Sequence, residues 1–267
     1  MRKMVMLLLA ATLSAQAAGA EELKETIDRT LNVRAGSDFK IDNINGRIDI
    51  SGWDQPRIRI RAVKRVESRD NDSAREAMKA LKVEIRQSGN SVEVDTIHPR
   101  KGDTGFMDML FGTNVNLSVS YEINVPRTMN VAADNVNGGI HLSDVSGTIE
   151  LDTTNGKIEV ARCSGSVDAE TTNGGISVEL MTVTPGREMS FETTNGKIAL
   201  SLPASLAAEI NAATTNGSVR SDLPLTTTRF SRTSVKGSLN GGGPEIRLRT
   251  TNGGIDIRST TASRATS

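Results

Sequence analysis

Cysteine, histidine and aromatic side chains are scarce in this sequence. One cysteine, Cys163, and two histidines stand among 267 residues. That excludes a zinc site of several Cys or His ligands within one chain, and it leaves little for Cys–His or Ser–His catalysis. Cys163 has no partner for an internal disulfide, and burial is the expected fate of a lone thiol. One Trp, one Tyr and five Phe make an aromatic-lined sugar cleft hard to build. Neither sign of charge dominates, with 32 basic and 32 acidic residues, which argues against a nucleic-acid binder. Beyond the N-terminus no apolar run approaches the ~20 residues that span a bilayer.

The first twenty residues read as an export signal rather than as fold. Arg2 and Lys3 precede the apolar run Met4–Ala11, and Ala18-Gly19-Ala20 offers small residues for cleavage. No cysteine follows that site, so no lipid anchor is expected. Cleavage leaves 30 basic and 32 acidic residues. The product is expected to be exported, periplasmic or extracellular, with no transmembrane segment in the mature chain.

What the chain has in quantity is a repeat. TTNG occurs at 153–156, 171–174, 193–196, 214–217 and 250–253, with NING at 43–46 and NVNG at 135–138. The turn pairs are Asn45-Gly46, Asn137-Gly138, Asn155-Gly156, Asn173-Gly174, Asn195-Gly196, Asn216-Gly217 and Asn252-Gly253. Apolar residues fall six and four positions before each Asn, as Ile149/Leu151 and Val167/Ala169 do before Asn155 and Asn173. They fall three and five positions after it, with Ser221 the one departure. Alternation at period two is the strand signature. The parity switch at Asn-Gly requires the chain to turn there, and both residue types accept positive φ. Ser146-Gly147 and Ser164-Gly165 read as weaker turns between, so one unit is two strands and two turns. Periods of 18, 18, 22 and 21 residues run from Gly138 to Gly217. The longer ones carry insertions such as MTVTPGREM at 181–189.

Two all-β architectures suit this pattern. One is a single-stranded β-helix-like solenoid in which each unit stacks on the last. The other is an antiparallel meander or sandwich joined by type I′ hairpins. Identical corners favour the solenoid, since stacking brings each Thr and Asn against its own copy. The TTNG-x-[Ile/Val] repeats, the signal peptide and the NING start resemble the bacterial putative-adhesin β-strand-repeat family, a toastrack-type domain. Over roughly residues 30–260 the resemblance implies a solenoid in an envelope protein, with no catalytic residues to carry over.

Four regions are expected: the signal 1–20, N-terminal coils 21–130 with one inserted helix, regular repeats 131–258 and a disordered tail 259–267. Within the second region RIRIRAVKR at 57–65 reads as a half-buried strand. Ser73-Ala74-Arg75-Glu76 reads as a capping box opening an amphipathic helix that covers a solenoid end. Strands follow at 82–87, 91–97 and 114–125.

Few side chains invite chemistry. The basic strand 57–65 is expected to be a solvated face, balanced by Glu67, Asp70 and Asp72. Trp53 is expected to pack over the first coil, and His98 and His141 to be structural. Asp152, Asp168 and Glu170 are outward carboxylates at ordinary density. The Thr-Asn columns are expected to spend themselves on turn geometry. The apolar loop 104–113, with Phe106, Met107, Met109, Leu110 and Phe111, is the best candidate for a partner-binding surface. No cofactor, metal or nucleic acid is expected. The reading is a monomeric, non-enzymatic envelope protein, adhesin-like or a scaffold, whose partner is an envelope protein or glycan. A polysaccharide-active β-helix enzyme is the alternative.

Overall fold

The computed structural model describes residues 21–99 and 115–260. The expected signal, the apolar loop 104–113 with Phe106, Met107, Met109, Leu110 and Phe111, and residues 261–267 of the tail lie outside the described residues.

The chain opens with β1 (Glu21–Asn32), β2 (Ser37–Asp42), β3 (Ile48–Trp53) and β4 (Arg57–Ser68). Helix α1 (Asn71–Ala80) precedes the hairpin β5 (Lys82–Ser88) and β6 (Ser91–Ile97). Then come β7 (Asn116–Pro126), β8 (Met129–Asn137), β9 (Ile140–Ser143) and β10 (Ser146–Asn155). Next are β11 (Ile158–Asn173), β12 (Ile176–Val183), β13 (Met189–Asn195) and β14 (Ile198–Leu202). The last are β15 (Ala208–Asn216), β16 (Val219–Ser221), β17 (Thr226–Phe230), β18 (Ser234–Leu239), β19 (Glu245–Asn252) and β20 (Ile255–Ser259).

These strands form two facing stacks. The first runs β5-β6-β2-β8-β10-β11-β13-β19-β15-β18-β17. The second runs β1-β4-β7-β3-β9-β11-β12-β14-β20-β16. Strand β11 serves both, its first half in the second stack and its second half in the first. From β6 to β15, and from β7 to β16, every neighbour is parallel. Antiparallel pairing is confined to the ends, so the body is the solenoid and not the meander.

The alternating apolar residues all point between the stacks. Phe39, Ile41, Ile149, Leu151, Ile158, Ile176, Phe191, Ile198, Leu248 and Ile255 are each at most 1% exposed. Burying one such side chain stabilises by roughly 1.5–3 kcal/mol, and the repeat supplies several per coil. Cys163 lies in this core, where burial pushes its thiol up to about 11.

The order of coils departs from the order of sequence. The first coil, β2–β3, lies between β6–β7 on one side and β8–β9 on the other. The last coil, β19–β20, lies between β13–β14 and β15–β16. Stacking each unit on the preceding one therefore holds only from β8 to β14. Because every coil presents the same parallel edges, sequence periodicity does not specify which coil neighbours which.

Helix α1 packs on β4 and β1 at the N-terminal end, with Ala74 and Ala77 against Val66 and Leu23. Its N-cap lies three residues before the expected one. Asp70 is the N-cap, accepting from the Ser73 backbone N–H at 2.8 Å. Ser73 is buried inside the helix instead. A carboxylate near the helix N-terminus also meets the positive end of the helix dipole, which favours Asp70 over the Ser73 hydroxyl.

Candidate functional site

The repeated corner comes first, because it fixes every surface above and below it. Seven asparagines form one ladder in the spatial order 45, 137, 155, 173, 195, 252, 216. Each side-chain amide donates to the oxygen of the preceding one at 2.7–2.9 Å. The first Thr of each TTNG points inward and donates to a glycine carbonyl of the adjacent coil. Thr153 reaches Gly138 at 3.0 Å, Thr193 reaches Gly174 at 2.8 Å and Thr250 reaches Gly196 at 2.9 Å. Asn135 takes that role toward Gly46 at 2.8 Å. Asparagine thus meets its own copy, whereas threonine meets glycine. The buried hydroxyls are satisfied, as buried polar groups must be.

Glycine is needed here for space more than for dihedral freedom. A Cβ on Gly174 would lie 1.8 Å from the Gly156 carbonyl oxygen, and one on Gly196 equally close to that of Gly174. None of the corner asparagines has positive φ, and among the corner glycines only Gly46 and Gly138 do. The corners are therefore not type I′ hairpins. At the opposite corner the left-handed residues are Asp144 and Arg162, at φ 59° and 52°. The chain bends there; Ser146-Gly147 opens β10, and Ser164-Gly165 lies within β11 where its second half begins, so neither pair forms a separate turn. Arg162 holds Asp144 through an Nε–Oδ1 bond of 3.0 Å.

Stacking also aligns the outward side chains of the first sheet. Three positions before five of the seven corner asparagines lie Asp42, Asp134, Asp152, Glu170 and Glu192, register partners in that order, with Asp95 of β6 beside Asp42. Asp152 and Glu170 are thus not at ordinary density but in a continuous carboxylate column, whereas Asp168 lies outside it, beside Glu150 in register. Arg249 ends it beside Glu192. Burial first, then the Asp42 carboxyl, pushes Asp134 up to about 6. Burial and then Glu170 raise Asp152. Asp42, Glu93 and Asp95 each place an oxygen within 4.8 Å of the others. Arg86 already supplies that cluster's counter-charge, bonding Asp95 and reaching Glu93 at 3.2 Å.

A second feature lies at the opposite corner of the last coils. The connections 184–188, 203–207 and 240–244 enclose a cleft of about 440 Å³, lined by Met181, Val183, Pro203, Leu206, Pro244 and Ile246 among others. Arg187 is its one charged lining residue, and its guanidinium donates to Thr148 Oγ1 at 3.1 Å. Residue-level reading missed this cleft. Its sequence signal is the lengthening of the period from 18 to 22 and 21 residues, which is where these connections grow.

The remaining candidates resolve into structural roles. The basic strand is neutralised by neighbours in the sheet rather than by Glu67, Asp70 and Asp72. Arg59 pairs with Asp28 at 2.6 Å, Arg61 with Glu122 at 2.8 Å and Lys64 with Glu25 at 2.8 Å. Trp53 donates to the Arg57 carbonyl at 2.7 Å, with the Arg57 guanidinium 5.8 Å from its ring centre. His141 lies across the sheet between Asp49 and Glu159. His98 follows the end of β6, and burial lowers its pKa.

Comparison with known proteins adds a family and a set of folds. The family model Toastrack DUF4097 matches residues 24–258. Among solved structures, the chain is similar to a putative cell adhesion protein from Clostridium sporogenes ATCC 15579. Identity is 13%, coverage is 89% of this chain and 100% of that one, and the TM-score is 0.46. It is also similar to a putative adhesin from Bacteroides fragilis NCTC 9343, at 11% identity, 88% and 97% coverage and a TM-score of 0.43. No curated protein matches the chain. No described helix is long and apolar enough to cross a membrane.

Proposed function

The chain belongs to the Toastrack DUF4097 family, and from that premise we propose that it is an exported, non-enzymatic binding module of the cell envelope, adhesin-like in presenting a regular rod to a partner. One observation carries this reading. The first Thr, the Asn and the Gly of each repeated corner are consumed in bonds and close contacts between coils, and the second Thr faces outward. What remains for a partner, among the described residues, is a long ordered outer face and the apolar cleft at the corner of the last coils. Solenoids offer such extended surfaces for binding.

Export rests on the leader-like residues 1–20 and is tested by fractionation with N-terminal sequencing. A mature chain beginning at Glu21 outside the cytoplasm is expected; a cytoplasmic chain retaining Met1 contradicts it. Binding is tested by titrating the mature chain onto purified envelope fractions. Saturable retention is expected, falling by about tenfold in M181E, the equivalent of 1.4 kcal/mol. Equal retention removes the cleft from the account, and absence of saturable retention removes the module.

The carboxylate column favours a second reading, a polysaccharide-active enzyme. A raised pKa such as that of Asp134 suits a general acid. Release of reducing ends from envelope glycans, abolished in D134N, would establish it.

A further inference from the structure

The last coil occupies a slot that the chain has built and left behind. Strand β13 and strand β15 are consecutive in the first stack by sequence, yet β19 lies between them. In the second stack β20 lies likewise between β14 and β16. Without residues 245–259, β13 and β15 would stand about 10 Å apart, two strand spacings, each with an unpaired edge.

The slot recognises its occupant through the repeat signature alone. Asn252 donates to Asn195 at 2.7 Å and accepts from Asn216 at 2.8 Å. Thr250 donates to the Gly196 carbonyl at 2.9 Å, and Thr214 to the Gly253 carbonyl at 2.8 Å. Ile246, Leu248, Ile255 and Ile257 fill the interior, each at most 1% exposed. None of these contacts depends on whether the coil comes from the same chain.

Only the connection 240–244 ties the coil to its own slot. It reads Asn-Gly-Gly-Gly-Pro and passes over the start of β15, where a Cβ on Gly243 would come within 2.6 Å of the Ala207 carbonyl. Asn240, Gly241 and Gly242 hold φ of 49°, 90° and 85°. Such residues change backbone direction at little steric cost. An edge that lacks its strand takes up an extended segment by main-chain pairing, and a glycine-rich connection lets that segment come from either copy.

We propose that residues 245–259 are an exchangeable donor coil, and that the slot between β13–β14 and β15–β16 is a binding site for the same segment of a second copy of this chain. Insertion within one chain dominates when chains are dilute, because the short connection gives the segment a high effective concentration. Exchange follows when chains fold together at high concentration or when the connection is shortened. This inference is independent of the ligand-binding reading above.

The test uses full-length chains. Ser190 and Arg247 are register partners on the outer face. Chains carrying S190C and chains carrying R247C are unfolded together, refolded as a mixture and treated with a short bis-maleimide; the buried Cys163 stays in place. The expected product is a two-chain species linked 190 to 247, growing with concentration and absent when either variant refolds alone. A yield no higher than in those controls overturns the proposal. A second variant, the full chain lacking Gly241–Gly243, needs no refolding. Two residues then remain between β18 and β19, and three Cα steps of 3.8 Å barely cover the two rungs around β15. Exchanged dimers are expected as purified, whereas a monomer with an unchanged strand signal contradicts the proposal.

Discussion

At each Asn-Gly corner a glycine hydrogen faces the carbonyl oxygen of the coil beneath. Gly174 has no room for a methyl group, with the Gly156 oxygen 1.8 Å from where its Cβ would stand. Overpacking against backbone is costly, so Gly174→Ala is expected to destabilise by about 3 kcal/mol or more. Gly186 has φ +78° and nothing within 4 Å of a Cβ, so Gly186→Ala carries only the left-handed penalty of about 1 kcal/mol. Urea unfolding of the two variants separates space from dihedral preference, and equal losses would contradict the stacked corner. The asparagine ladder predicts a positional effect. Asn173 both donates and accepts, whereas Asn216 ends the ladder with one bond. At about 1 kcal/mol per bond, Asn173→Ala is expected to cost about twice as much as Asn216→Ala; a reversed ranking would contradict the ladder's order. The alternation of apolar residues made the inward faces legible in the sequence. The reason for glycine was not, because the clash comes from another coil and sequence shows only the glycine's own flanks.

Strands placed in register turn isolated carboxylates into a column. Asp42, Asp134, Asp152, Glu170 and Glu192 are separated by tens of residues in sequence but by one rung each in space. Their alignment was hidden because it depends on which coil neighbours which. The raised pKa of Asp134 has a definite sign. The folded chain keeps a proton between pH about 4 and about 6 that the unfolded chain releases, so this group's contribution to stability falls as pH rises through that window. Asp28, Asp144 and Asp256 behave oppositely. A hydrogen-bonded Arg59, Arg162 and Lys197 respectively lower their pKa values, and their contributions are lost only below the ordinary carboxylate range. Asp134→Asn is therefore expected to flatten the decline of the urea midpoint between pH 4 and 7. A slope identical to that of the parent chain would show that Asp134 ionises like a free carboxyl. Helix α1 shows a related limit of local reading. Its apolar face was legible, but Asp70 and Ser73 compete for the cap, and tertiary burial of Ser73 decides between them.

The whole molecule is a parallel rod with antiparallel ends. At one end β1, β4 and α1 cover the stack; at the other, β17 and β18 pair beyond β15. Exposed parallel edges invite association, and these elements occupy most of them. The architecture was legible because seven copies of one corner admit few alternatives. The threading was not, because identical coils are interchangeable in sequence terms, and the cleft depends on that threading through the 240–244 connection. Cysteine pairing tests the order of the rungs most directly. Thr194 and Thr251 lie between the paired positions 193–250 and 195–252, one rung apart at about 4.8 Å, within disulfide reach. Thr194 and Thr215 are two rungs apart, with β19 between them. T194C/T251C is predicted to form an intrachain disulfide under mild oxidation and T194C/T215C to remain reduced. The opposite result, a bond at 194–215 and none at 194–251, would mean that the coils stack in sequence order and that no slot exists.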